Sequence, residues 1–221
     1  MASSFKTIDP KDIVSTRNLL HEAIPITGTI VSGTYAENNI KNYTHGMFQS
    51  VYDYPFLSSS ANHIFDLTVG YPAASSLSSS TNNQNAKKIN IYNEMAQVLA
   101  GFDQDGNVRR FDKDGNFGTT GDEINEAFFF NFTRLLAKDE IKKGSFSIEL
   151  GVEANYLLPF QDTITITDAS GSNGFKVNSP AGEYGILFAK DGTGTPMKSG
   201  TGTLGMPCGL LFYQAGIAVV S

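Results

Sequence analysis

The stretch "GLLFYQAGIAVVS", residues 209–221, decides the fold. Its first eight residues follow the outline of "GILFAKDG" at 185–192, each an apolar run bounded by glycine. Runs this short between turn residues mark strands rather than helices. With the Gly/Thr loop 192–205 between them, the two read as a hairpin or as neighbouring strands. The last residues, "IAVVS", form a further apolar strand. An exposed strand there would invite edge pairing, so it must be covered.

Working outward, "DTITITD" (162–168) holds an unbroken run of β-branched residues and suits a pleated surface. In "IKKGSFSIELGV" (141–152), Phe146, Ile148 and Leu150 alternate with Ser147 and Glu149, the pattern of a half-buried strand. "HIFDLTVGY" (63–71) reads as another strand. "EAFFFNFTRLL" (126–136) is a buried strand or a buried helix, and its aromatic enrichment favours the strand. The best helix is "NIYNEMAQVLAGF" (90–102), where Ile91, Met95, Val98, Leu99 and Phe102 make one stripe. Ala73–Ala86 is a Ser/Asn-rich loop with little to bury.

Residues 1–60 have no steady period. A short helix over Asp12–Ala23, stopped by Pro25, is the one regular element expected there. Tyr35, Tyr43, Phe48, Tyr52, Tyr54 and Phe56 crowd the region that follows. A segment this aromatic lies extended across a surface, and these six residues are the candidate interface. The expected organisation is an extended N-terminal arm, 1–60, and a mainly β, sandwich-like domain, 61–221, with one or two packed helices.

The chain has 221 residues, enough for one substantial core. It carries 22 acidic and 16 basic residues, a net charge of −6. Its basic doublets, Lys87-Lys88, Arg109-Arg110 and Lys142-Lys143, are isolated, so no footprint for a nucleic-acid backbone is expected. The one cysteine, Cys208, sits in an apolar run and reads as an inert buried thiol. The N-terminus has no apolar core of the signal-peptide kind, and Gly209–Val220 is too short to span a bilayer. The expectation is a soluble protein made without the secretory route and without membrane contact.

One motif occurs twice: Phe-Asp-x-Asp-Gly-Asn, at 102–107 and again at 111–116. Counted as a calcium loop from Asp112, the ligands would be Asp112, Asp114, Asn116 and Glu123, but the glycine needed at the sixth position is Phe117. Without it the backbone cannot bend to bring later ligands round. Asp-Gly and Gly-Asn pairs make tight turns, so the expectation is two corners and no metal. Val108–Phe111 would be a short strand between them.

Nothing points to catalysis. His21, His45 and His63 form no zinc spacing, no serine sits in a Gly-x-Ser-x-Gly elbow, and Cys208 has no sequence partner as base. The Gly-rich run "DGTGTPMKSGTGTLG" (191–205) lacks the ending of a phosphate loop. No catalytic residue and no cofactor is expected.

Several stretches together resemble virion structural proteins of contractile-tailed bacteriophages, especially those of marine phages. They are "AIPITGTIVSGTY" (23–35), "NIKNYTHGMFQSVYDYPFLSSSANHIFDLTVGY" (39–71), "NAKKINIYNEMAQVLAGFD" (85–103), "FFFNFTRLLAKDEIKKGSFSIELGV" (128–152) and "GLLFYQAGIAVV" (209–220). The likeness covers most of the chain. It implies a tail, baseplate or neck component, assembled in the host cytoplasm in several symmetric copies against other virion proteins. It carries over no catalytic residues. The rival reading is a receptor- or carbohydrate-binding module of a tail tip, with recognition in loops 73–86 and 192–205. The ending "VVS" leaves room for a C-terminal continuation.

Overall fold

In the computed structural model, the two similar runs lie side by side in one sheet. It describes residues 39–78, 84–117, 121–136, 140–155, 158, 160–195, 197 and 204–221. The helix expected over 12–23 and Tyr35 lie outside these residues.

Strand β9 (Met206–Phe212) turns back into β10 (Ile217–Val220), with Leu211 opposite Ala218 and Leu210 opposite Val219. β8 (Gly182–Asp191) pairs along the other side of β9, placing Tyr184 opposite Phe212 and Gly185 opposite Leu211. The terminal strand is covered as its apolar character demands. β4 (Ala127–Asn131) pairs with its free side, Phe130 opposite Ala218.

The sheet then extends both ways. Beyond β4 come β3 (His63–Gly70), β2 (Phe48–Tyr52) and the edge strand β1 (Ile40–Asn42). Beyond β8 come β6 (Thr163–Thr167) and β5 (Ser147–Gly151). The short β7 (Lys176–Ser179) pairs with the start of β8, end to end with β6. Every pairing is antiparallel. The sheet curls into half a barrel with two helices, so the mainly β, sandwich-like class is correct.

The central strands bury both faces, which is why their sequences do not alternate with polar residues. One face carries Phe129, Tyr184, Leu210, Phe212 and Val219. The other carries Phe130, Leu187, Leu211 and Ala218, joined by Phe65 from one side of the sheet and Ile166 from the other. Residues from opposite ends of the strand order share this second cluster because the sheet curls. Each such side chain contributes about 1.5–3 kcal/mol when fully buried.

Helix α1 (Asn85–Leu99) covers the first face. It begins five residues before the expected start, inside the stretch read as a loop, and stops short of Phe102. Its buried residues are Ile91, Tyr92, Ala96 and Leu99, whereas Val98 is 63 % exposed and Phe102 52 % exposed. The expected stripe was therefore rotated. The cause is Tyr92, whose hydroxyl donates to the Ile124 carbonyl at 2.9 Å and accepts from the Phe111 amide at 3.1 Å. A tyrosine whose hydroxyl finds buried partners can enter a core that hydrophobicity alone would not assign to it. Burial pushes its phenol up to about 12. Phe111 and Phe129 meet Tyr92 edge-on, with ring centroids 5.4 and 6.4 Å away.

The ambiguous stretch at 126–136 is strand β4 followed by a single 3-10 turn at Thr133–Leu135. The segment read as lacking a strand period contains β1 and β2, and β2 pairs with β3, so residues 39–52 extend the sheet. Among the described residues no helix is long and apolar enough to cross a membrane.

Candidate functional site

Three places gather polar chemistry: the repeated Asp-x-Asp-Gly-Asn turns, a buried aspartate beneath β9, and a cavity on the β1–β3 side of the sheet.

The repeated motif builds the same corner twice. Asp103 Oδ1 accepts from the amides of Asp105 (2.9 Å) and Asn107 (2.8 Å). Asp112 Oδ1 accepts from those of Asp114 (2.9 Å) and Asn116 (3.4 Å). Glycine follows at φ 82° and 70°, in the left-handed region that only glycine enters freely. The corners are closed by isolated bridges, Phe102 to Val108 and Asp112 to Glu123, and no strand runs over 108–111 as the sequence had suggested. Glu123 pairs with Arg110, and Asp112 and Asp114 accept backbone amides, so three of the four residues counted as calcium ligands already hold protein partners.

Asp112 is 3 % exposed. Burial, with a hydrogen bond that its protonated carboxyl donates to the Asp114 carboxylate, pushes the Asp112 carboxyl up to about 6, while the same bond holds Asp114 low. The folded state therefore binds the Asp112 proton more tightly than the unfolded chain does. This contribution to stability is full below about pH 4 and is lost as pH rises through about 6. Asp114 acts in the opposite sense, losing its contribution only on acidification below about pH 4. Asp112→Asn keeps the Oδ1 acceptor and removes the charge. Its melting temperature relative to wild type should climb between pH 4 and pH 7; thermal melts showing a flat difference would refute this.

Asp168 is fully buried. Its Oδ1 accepts from the Phe146 amide at 2.8 Å, and its Oδ2 from the Gly144 amide at 2.7 Å and the Tyr213 hydroxyl at 3.1 Å. The Tyr213 hydroxyl fits only because Gly171 and Gly185 flank it; a Cβ at either would lie 2.2 or 2.1 Å away. Lys143 caps the group, bonding Glu140 and Glu183 at 2.8 and 2.6 Å, with its ammonium over the Phe175 and Tyr213 rings. Asp168, Tyr213 and Lys143 all hold protein partners, which makes this a structural hub.

The cavity, about 160 Å³, lies among β1, β2 and β3 and the 3-10 turn. Tyr43, Phe48 and Tyr52 supply aromatic walls, Ser50, His63 and Asp66 a polar floor, and Arg134 a cation. Asp66 Oδ1 receives both the Ser50 hydroxyl (2.5 Å) and His63 Nε2 (2.7 Å). Serine, histidine and aspartate thus meet, but the carboxylate stands between the other two. The histidine cannot deprotonate the serine in this wiring, unlike a nucleophile–base–orienter relay. His63 Nδ1 is buried with no partner among the described residues.

Of the six aromatic residues expected at an interface, Tyr43, Phe48 and Tyr52 line this cavity. Phe56 packs on Tyr52 with centroids 6.3 Å apart, and Tyr54 stands 56 % exposed at the next turn. Sequence reasoning missed Asp66, Ser50 and Arg134. The signal for the first pair is their register: Ser50 faces Asp66 directly across β2 and β3. Cys208 has only a weak contact to the Leu187 carbonyl, and burial pushes its thiol up to about 12.

Comparison with known proteins identifies no relative. The chain matches no family model, and no significant match was found among curated proteins or solved structures.

Proposed function

We propose that this chain is a structural subunit of a tailed-phage virion, in the tail, baseplate or neck, acting by subunit contact without catalysis. Its partners are other virion proteins and further copies of itself, and it binds neither nucleic acid nor membrane. The observation that carries the reading is the apolar surface left open around the β2–β3 end. In the turn between β2 and β3 Leu57 is 87 % exposed and Tyr54 is exposed with it, while Met47 and Phe48 are exposed at the opposite end of β2. Clustered exposed apolar side chains mark contact surfaces, and aromatic anchors dominate their energetics. The resemblance of residues 23–35, 39–71, 85–103, 128–152 and 209–220 to phage virion proteins supplies the kind of assembly.

Mass spectrometry of washed particles from cells producing this chain should find it at a stoichiometric, symmetric copy number. Tyr54→Ser with Leu57→Asp should cut its incorporation by at least about tenfold while leaving its melting temperature unchanged. Absence from the particles, or unaltered incorporation of the double variant, would sink the reading.

A second reading, a receptor- or carbohydrate-binding module of the tail tip, is favoured by one observation: an aromatic-walled, polar-floored cavity opens beside the same turn.

A further inference from the structure

We infer that the cavity between β1 and β3 is a subsite for one acidic sugar unit, a ring bearing both hydroxyls and a carboxylate. The inference deepens the carbohydrate-binding reading and stands independently of the assembly reading.

Size comes first. Cavities for drug-sized ligands run about 300–1,000 Å³. At about 160 Å³ this one takes a single small ring or side chain.

Chemistry narrows the choice. Asp66 spends Oδ1 on Ser50 and His63, while Oδ2 has no partner among the described residues. A lone carboxylate oxygen at a cavity wall calls for a donor, and a sugar hydroxyl is one. Arg134 lines the same cavity and forms no ion pair among the described residues. A guanidinium fits a carboxylate with two parallel bonds. Tyr43 and Phe48, with centroids 4.7 Å apart, and Tyr52 give the cavity its apolar walls, the Tyr43 ring itself being stacked on His45 at 5.3 Å.

One ligand must satisfy both an acceptor in need of a hydroxyl and a cation in need of an anion. An aspartate or glutamate side chain from a neighbouring protein meets Arg134 but brings a second carboxylate against Asp66 with no proton to give. A neutral sugar meets Asp66 and leaves Arg134 alone. A sugar acid answers both. The chain's net charge of −6 opposes anions at long range, so the pairing at Arg134 must supply the discrimination locally.

Calorimetry of the full chain with sodium glucuronate, glucose and sodium acetate tests this. Glucuronate should bind saturably at millimolar concentration, with glucose and acetate each at least about tenfold weaker. Arg134→Gln, at an exposed position, should bring glucuronate down to the level of glucose with an unchanged melting temperature. Equal binding of glucose and glucuronate, or indifference to Arg134→Gln, overturns the acidic subsite and leaves a carbohydrate module standing. Acetate binding as tightly as glucuronate overturns it in favour of a carboxylate from a neighbouring protein. No binding by any of the three overturns both the subsite and the carbohydrate reading.

Discussion

Asp168→Ala is expected to lower the melting temperature by about 10 °C or more. The carboxylate is fully buried and accepts from the amides of Gly144 and Phe146 and from the Tyr213 hydroxyl. Alanine would strand one buried and two partly buried donors, each costing up to about 1–3 kcal/mol when unsatisfied. Loss of a buried charged partner sets the total at roughly 3–5 kcal/mol, and in a domain of this size about 1 kcal/mol moves the midpoint by about 2–4 °C. Asp168→Asn keeps Oδ1 as an acceptor for Phe146 but turns an amide donor towards the Gly144 amide, so it should fall between alanine and wild type. Calorimetric unfolding reads both. A shift for Asp168→Ala within about 2 °C of wild type would mean the aspartate holds nothing together.

Gly209→Ala is expected to abolish soluble folding, or to cost more than about 3 kcal/mol if the protein survives. A Cβ at 209 would sit 2.0 Å from the Val219 carbonyl oxygen and 3.0 Å from the Val220 Cα, all backbone atoms of the paired strand. No rotamer relieves that contact. β9 and β10 would have to separate, in the middle of the sheet where both faces are packed. Gly106→Ala is the control: nothing lies within 4 Å of its Cβ, so only the left-handed backbone at φ 82° is penalised. That penalty is about 1–2 kcal/mol. Comparable melting temperatures for the two variants would show that β9 and β10 are not so close.

The strands at 63–70, 147–151 and 163–167 were legible because each buries residues in a pattern that a local window detects. The hydroxyl partners of Tyr92 were not legible, since Ile124 and Phe111 lie 32 and 19 residues away. Without them a tyrosine scores as a poorer core residue than Val98, and the helix stripe comes out rotated. The candidate site was half legible. Aromatic crowding pointed to Tyr43, Phe48 and Tyr52. Their polar companions were hidden because Asp66 and Arg134 each look like ordinary surface charges until strand register and a 3-10 turn bring them to one cavity.

By itself the sequence determined a mainly β chain, two Asp-x-Asp-Gly-Asn corners, and a terminal strand too apolar to stand uncovered. Those features follow from local preference: β-branched and aromatic runs, glycine's freedom at positive φ, and the cost of an open apolar strand. Only the tertiary structure decided that β10 lies between β4 and β9, and that the two ends of the sheet curl to share one core. It alone placed Ser50, Asp66 and Arg134 around one cavity. Strand order and side-chain convergence depend on pairings between distant segments, whose energies appear only once the chain has closed on itself.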